Sequence, residues 1–323
     1  MSVLVDLIVM LGMLVVVPAG LRLTGAPELD RIRRLWPLFA VPGAVALLLP
    51  RGGPATVLAG CYALGAALLA LHAPLRLLRT VRASGVHRTA AEIALCTALV
   101  TPSVAATALV AERSGHALFG FGLGILALTV PHFHFAGFAA ALIAGLVCRV
   151  ADGPAGRFAA SSVPLGTLLV LIGYFIGDWA ELAGAVVLTA GMWTVALLTW
   201  HTIRGSSRDR TTRMLFAVSS AVLVATMVLA LSWALGEATG LPHPTLTWMA
   251  ATHGLGNALG FALCSVLAWR RLQDRPEQTP PEQAPPDRPR TERPPADPVL
   301  TTSVRTDPPL TGPALTDLKG RTS

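Results

Sequence analysis

The chain has 323 residues, 53% of them hydrophobic and 13% charged, with a mean hydropathy of +0.61. A soluble domain carries about a quarter charged residues. Here the charges sit in short clusters between long apolar runs, which excludes a water-soluble fold and makes the bilayer the solvent. The net charge of +7 comes from arginines between those runs and gives no support to nucleic acid as a partner.

The first apolar run, Ser2 to Leu23, carries Asp6 near its start, lacks a basic leading segment and has no small-residue cleavage pattern before Arg22. It reads as a retained span rather than a signal peptide. Further spans are predicted over 35–50, 54–75, 90–111, 124–148, 159–177, 179–202, 213–235 and 245–269, each near the roughly 20 residues a crossing helix needs. The run 117–150 fits either one long helix after a glycine-rich segment or two short helices broken at Pro131. Arginine placement decides for one helix. With nine spans, one set of loops holds Arg22, Arg33, Arg79, Arg149, Arg204, Arg271 and their arginine neighbours, and the other holds only Arg51 and Arg113. An excess of this kind marks the cytoplasmic side.

The expected architecture is therefore all-α: a polytopic bundle of about nine transmembrane helices in the cell membrane, occupying residues 1–272, with the N-terminus outside and the C-terminus inside. Residues 273–323 hold about half of the prolines and almost no large apolar residues. Such a segment cannot bury enough surface to offset its ordering entropy, so a disordered cytoplasmic tail is expected. Cys61, Cys96, Cys148 and Cys264 lie singly in apolar runs and read as small core residues.

Polar groups inside the hydrocarbon are costly and mark candidate sites. His132 and His134 lie in the run Pro131-His132-Phe133-His134-Phe135-Ala136-Gly137-Phe138. On a regular helix they diverge by about 200°. Either one histidine is bonded in the core and the other lines a cavity, or Pro131 distorts the turn enough for both to hold a metal. In the last span, His253 and Asn257 are four residues apart and share a face. They serve either as interhelical glue or as part of a site. Counted along their helices, the two clusters lie at the same depth, roughly 12–15 Å from the outer surface, so they can share a cavity.

Asp178 and Glu181, three residues apart at a helix start, either face that cavity or cap an outer turn. Phe133, Phe135, Phe138, Tyr174, Trp179 and Trp248 gather around these clusters as candidate pocket residues. Trp179 and Trp248 also suit an interfacial aromatic belt. Glu92, Asp6 and His201 lie near span ends, where they can reach water.

The two motifs, His132-Phe133-His134-Phe135-Ala136-Gly137-Phe138 and His253-Gly254-x-x-Asn257-Ala258-x-Gly260-Phe261, resemble the YndJ-like family of bacterial membrane proteins over about residues 1–270. The resemblance implies a polytopic membrane fold and marks His132, His134, His253 and Asn257. It implies no mechanism.

Beside a non-enzymatic membrane partner or sensor, in which the histidines are structural hydrogen-bond glue, three functions suit this set. The first is an intramembrane enzyme acting on a lipid-soluble substrate, of isoprenoid type, by cyclase or isomerase chemistry. Asp178 or Glu181 would be the acid, and a histidine the base or relay, supported by Asn257. The second is a proton-coupled small-molecule transporter. The third is a metal or haem site built from His132, His134 and His253; otherwise no cofactor is expected. The partners implied are membrane lipids and a hydrophobic small molecule. Reporter fusions test the orientation: signals at Gly205 and Arg271 are expected on the cytoplasmic side, and an external signal at both overturns the topology.

Overall fold

The computed structural model describes residues 3–83, 86–206 and 209–274. The predicted tail lies, from residue 275 onward, outside the described residues. Long apolar runs in hydrocarbon must satisfy their own backbone, and only helices do so within one segment. Nine long helices result among the described residues: α1 Val3–Leu23, α2 Asp30–Leu48, α3 Gly53–Thr80, α4 Thr89–Ser114, α5 Leu123–Val150, α6 Pro154–Ile176, α7 Asp178–Ser206, α8 Arg210–Thr239 and α9 Leu246–Gln273. A single isolated bridge, Leu118 with Phe121, is the only extended pairing described.

Eight of these helices are long and apolar enough to cross a membrane. The remaining predicted span, 35–50, lies within α2, whose first turns carry Arg31, Arg33 and Arg34 and leave its apolar stretch short of that measure. α2 nevertheless packs antiparallel to α3, with Gly43 against Tyr62 and Gly65 against Phe39. The run 117–150 forms one long helix after the Leu118–Phe121 turn, with Pro131 inside it. α5 is the most enclosed of the eight, 83% buried along its most apolar stretch against 28% for α9. It is ringed by α1, α4, α6, α7 and α9.

Five short segments wind more loosely than an α-helix, with i→i+5 hydrogen bonding: Gly12–Val16, Phe133–Ala139, Thr199–Ile203, Ala250–Gly254 and Gly256–Leu263. Such π turns are uncommon and concentrate at functional positions. Three of the five contain the two histidine motifs.

Charged residues clasp both ends. At the face carrying the N-terminus, fully buried Glu112 accepts from Arg51 at 2.7 and 2.9 Å and pairs with its neighbour Arg113. Arg113 in turn donates to the carbonyls of Ala46 and Leu49, at 3.4 and 3.3 Å. Both arginines counted on that side are therefore held by one carboxylate. At the opposite, arginine-rich face, Glu92 accepts from Arg76 at 2.6 Å and from Arg149 at 2.7 Å. Arg149 also donates to the Thr24 carbonyl at 3.0 Å. Glu92 thus joins α3, α4 and α5 rather than serving a site.

Removing one partner of a buried ion pair strands the other. Glu112→Ala is expected to cost about 3–5 kcal/mol because it leaves Arg113 buried without a counterion. Arg51→Ala, which removes a partner 43% exposed, is expected to cost about 1 kcal/mol or less. Thermal unfolding of the two variants in detergent measures the difference.

Candidate functional site

The motif histidines part company in the fold. His134 points into the core and is fully buried. Its Nδ1 lies 2.7 Å from the Val130 carbonyl, which can only accept, so Nδ1 carries the proton. Its Nε2 therefore accepts from the Tyr62 hydroxyl, at 2.5 Å. Tyr62 meets Trp36 edge to face with ring centroids 5.8 Å apart, and Trp36 Nε1 donates to the Met13 carbonyl at 2.8 Å. Gly12 permits the close approach, since a Cβ there would lie 2.9 Å from the His134 side chain. One chain of polar contacts thereby stitches α1, α2, α3 and α5, and both nitrogens of His134 are used up.

His132 lies on the other side of α5. It makes no hydrogen bond to another described residue and packs edge to face on Phe133, with centroids 5.3 Å apart. It lines two cavities of about 110 and 130 Å³. The two share a wall formed by His132, Phe135, Ala136, Met249, His253 and Asn257. The smaller cavity continues among α6, α7 and α8, and the larger one between α1, α5 and α9.

His253 and Asn257 share a face of α9 and form a closed network with α8. His253 Nδ1 donates to the Thr226 carbonyl at 2.8 Å, and its Nε2 accepts from Asn257 Nδ2 at 3.0 Å. Thr226 Oγ1 donates to Asn257 Oδ1 at 2.8 Å. The ring of His253 is thus fixed in one tautomer, with both nitrogens engaged.

His132 stands nine residues past Leu123 and His253 seven past Leu246, which puts them at related depths of about 10–14 Å from the N-terminal face. Glu181 reaches the same cavity from the opposite wall. It lies in the first turn of α7, is half-buried and makes no hydrogen bond to a described residue. Close backbone packing of α6 on α7 sets its position, since a Cβ on Gly173 would fall 2.5 Å from the Glu181 Cα. Tyr174 completes this wall. The remaining lining is apolar and includes Met192, Met227, Met249 and Phe261.

Other predicted residues lie elsewhere. Asp178 is exposed at the start of α7, one turn above the cavity. Trp179 and Trp248 are 67% and 49% exposed near helix ends, as belt residues are. Phe133 and Phe138 are buried against neighbouring helices, Phe138 beside Gly20. Of the six aromatic candidates, Phe135 and Tyr174 face the cavity. The three histidines do not converge, and no group of three His, Cys, Asp or Glu side chains among the described residues is arranged to hold a metal. Trp233, Thr226 and the three methionines were not foreseen. Thr226 offered a signal, being a hydroxyl in the middle of an apolar span.

The pattern recognised in the two motifs extends across the membrane part: the family of YndJ-like proteins matches residues 7–261. The chain belongs to the YndJ-like family. It is a multi-pass membrane protein. A relative, the uncharacterized membrane protein YndJ of Bacillus subtilis (strain 168), is 25% identical over 158 residues. That match covers 48% of this chain and 28% of the relative, so the shared region is a minor part of the relative's length. No solved structure matches the chain. Within this family member both cluster-bearing helices, α5 and α9, fall wholly or largely inside the matched region.

The different bonding of the two motif histidines has a measurable consequence. Tyr62→Phe leaves buried His134 Nε2 without a donor and is expected to cost about 1–3 kcal/mol. His132→Ala, which breaks no hydrogen bond, is expected to lower stability less. Thermal unfolding of the purified variants ranks them.

Proposed function

We propose that this protein is an intramembrane enzyme that carries out acid–base chemistry on a lipid-soluble substrate, with Glu181 as proton donor and His132 as proton acceptor. The observation that carries this reading is the convergence of Glu181, His132 and Tyr174 on one apolar cavity, each without a hydrogen bond to a described residue. Beside them, His253 and Asn257 are fully occupied by each other and Thr226. Groups already paired hold the wall in place, and unpaired groups are available to a substrate.

The chemistry that suits an acid, a water-poor pocket and aromatic faces is redox-neutral isomerisation or cyclisation of an isoprenoid. Glu181 adds a proton to an alkene or epoxide, and the resulting positive charge lies among Phe135, Tyr174 and Phe261, whose π faces favour it. His132 then removes a proton from a neighbouring carbon to form the new double bond. Bulk water returns the proton from His132 to Glu181 between turnovers. A cavity of about 110 Å³ holds the reacting part of such a molecule, and the adjoining cavity of about 130 Å³ offers room for a tail.

A second reading, proton-coupled transport, is favoured by one feature: His132 stands in the wall between two cavities and can exchange protons with either. Membranes containing the wild type, Glu181→Gln, His132→Ala and Asp178→Asn, incubated with prenyl and epoxyprenyl substrates, separate the two. Isomeric product in detergent, without a gradient, is expected from the wild type and Asp178→Asn. Glu181→Gln and His132→Ala should lose about 10²–10⁴-fold, the scale of one general acid or base. Activity confined to sealed vesicles with a pH gradient overturns the enzyme in favour of the transporter.

A further inference from the structure

A third cavity lies apart from this site. It is a groove of about 630 Å³ on the flank of the bundle, walled by Ile93, Thr97 and Val100 of α4 and by Ser161, Leu165 and Leu168 of α6. Phe133 and Leu77 also contribute to its lining. The threonine hydroxyls beside it are bonded to backbone carbonyls, Thr97 to Ile93 at 3.0 Å, Thr101 to Ala98 at 3.4 Å and Thr167 to Val163 at 2.9 Å. Apart from the exposed Ser161, the groove therefore presents methyl groups and rings. Leu165 and Leu168 are about half exposed, at 50% and 51%, so it opens sideways towards the lipid rather than towards water.

Its length and direction indicate what fills it. From Ile93 to Val104 the α4 wall spans eleven residues, or about 16 Å, against half of a hydrocarbon core of about 30 Å. It begins one turn inside the arginine-rich face and ends near the bilayer midplane, so it matches a single leaflet. On α6, Arg157 lies four residues before Ser161, on the same face and one turn nearer that end. Arg157 is 34% exposed at its side chain and stands 3.9 Å from Asp152, itself 69% exposed. Arg79, in the last turn of α3, and Arg82 just beyond it are exposed at the same end. An apolar slot one leaflet long with a basic rim is complementary to an anionic lipid.

We propose that this groove holds one acyl chain of an anionic phospholipid from the leaflet at the arginine-rich face, with its phosphate beside Arg157. The assignment is independent of the enzymatic reading, because the groove shares no lining residue with either cavity that contains His132.

The test uses the full chain purified in detergent, titrated with dioleoyl phosphatidylglycerol or dioleoyl phosphatidylcholine and read by native mass spectrometry. Wild type is expected to retain phosphatidylglycerol about fivefold better, the factor that one arginine beside an anionic headgroup supplies. Thr97→Trp, which fills the groove from its partly exposed wall, should reduce retention of both lipids. Arg157→Gln, a surface change, should remove the preference and keep the chain binding. Equal retention of both lipids by the wild type, or a preference unchanged in Arg157→Gln, overturns the proposal. Should Thr97→Trp fail to fold, the Arg157→Gln comparison decides alone.

Discussion

Every polar atom carried into the hydrocarbon must find its partner inside the bundle, because lipid offers none. That constraint sorts the polar residues of this chain. Glu112 and Glu92 are neutralised by arginines at opposite ends of the helices, and His134 spends both nitrogens on Val130 and Tyr62. His253, Asn257 and Thr226 close on one another. His132, Glu181 and Tyr174 remain without a hydrogen bond to a described residue, and all three face one cavity, with the unpartnered Trp233 Nε1 in its lining.

The same accounting explains how far the sequence could be read. Hydropathy located most of the helices, and the placement of arginines settled the run from Leu123 to Val150 as one helix rather than two. The signal was weakest at α2, where arginines fill the first turns. Depth was also legible, because a fixed rise per residue sets His132 and His253 at related levels whatever surrounds them. Direction around the helix axis was not. The π turns at Phe133–Ala139 and Gly256–Leu263 break the regular 100° step, so periodicity could not say that Phe135 faces the cavity while Phe138 faces α1. Asp178 and Glu181 looked equivalent by spacing, yet the helix begins at Asp178 and leaves it outside. Met192, Met227 and Trp233 gave no contrast, being apolar residues in apolar spans.

The occupied and unoccupied histidines also divide the labour between rigidity and chemistry. The Trp36–Tyr62–His134 contacts fix α5 against the first three helices. The Thr226–Asn257–His253 contacts fix α9 against α8. His132 lies on α5 and the wall it shares with His253 belongs to α9, so each half of that wall is anchored from behind. A cavity made this way keeps its shape although flexible methionines, Met192, Met227 and Met249, form part of its lining.

The π turns carry a further consequence. Each holds one residue more than an ordinary turn and so behaves as an insertion that the helix has absorbed. Loss of one residue between Phe133 and Ala139 would let α5 rewind into an ordinary turn with both flanks keeping their facing, whereas the same loss from a regular stretch would swing one flank by about 100° relative to the other. The π turns thus mark the places where these helices can change length by one residue without redirecting His132 or the buried stretch that follows it.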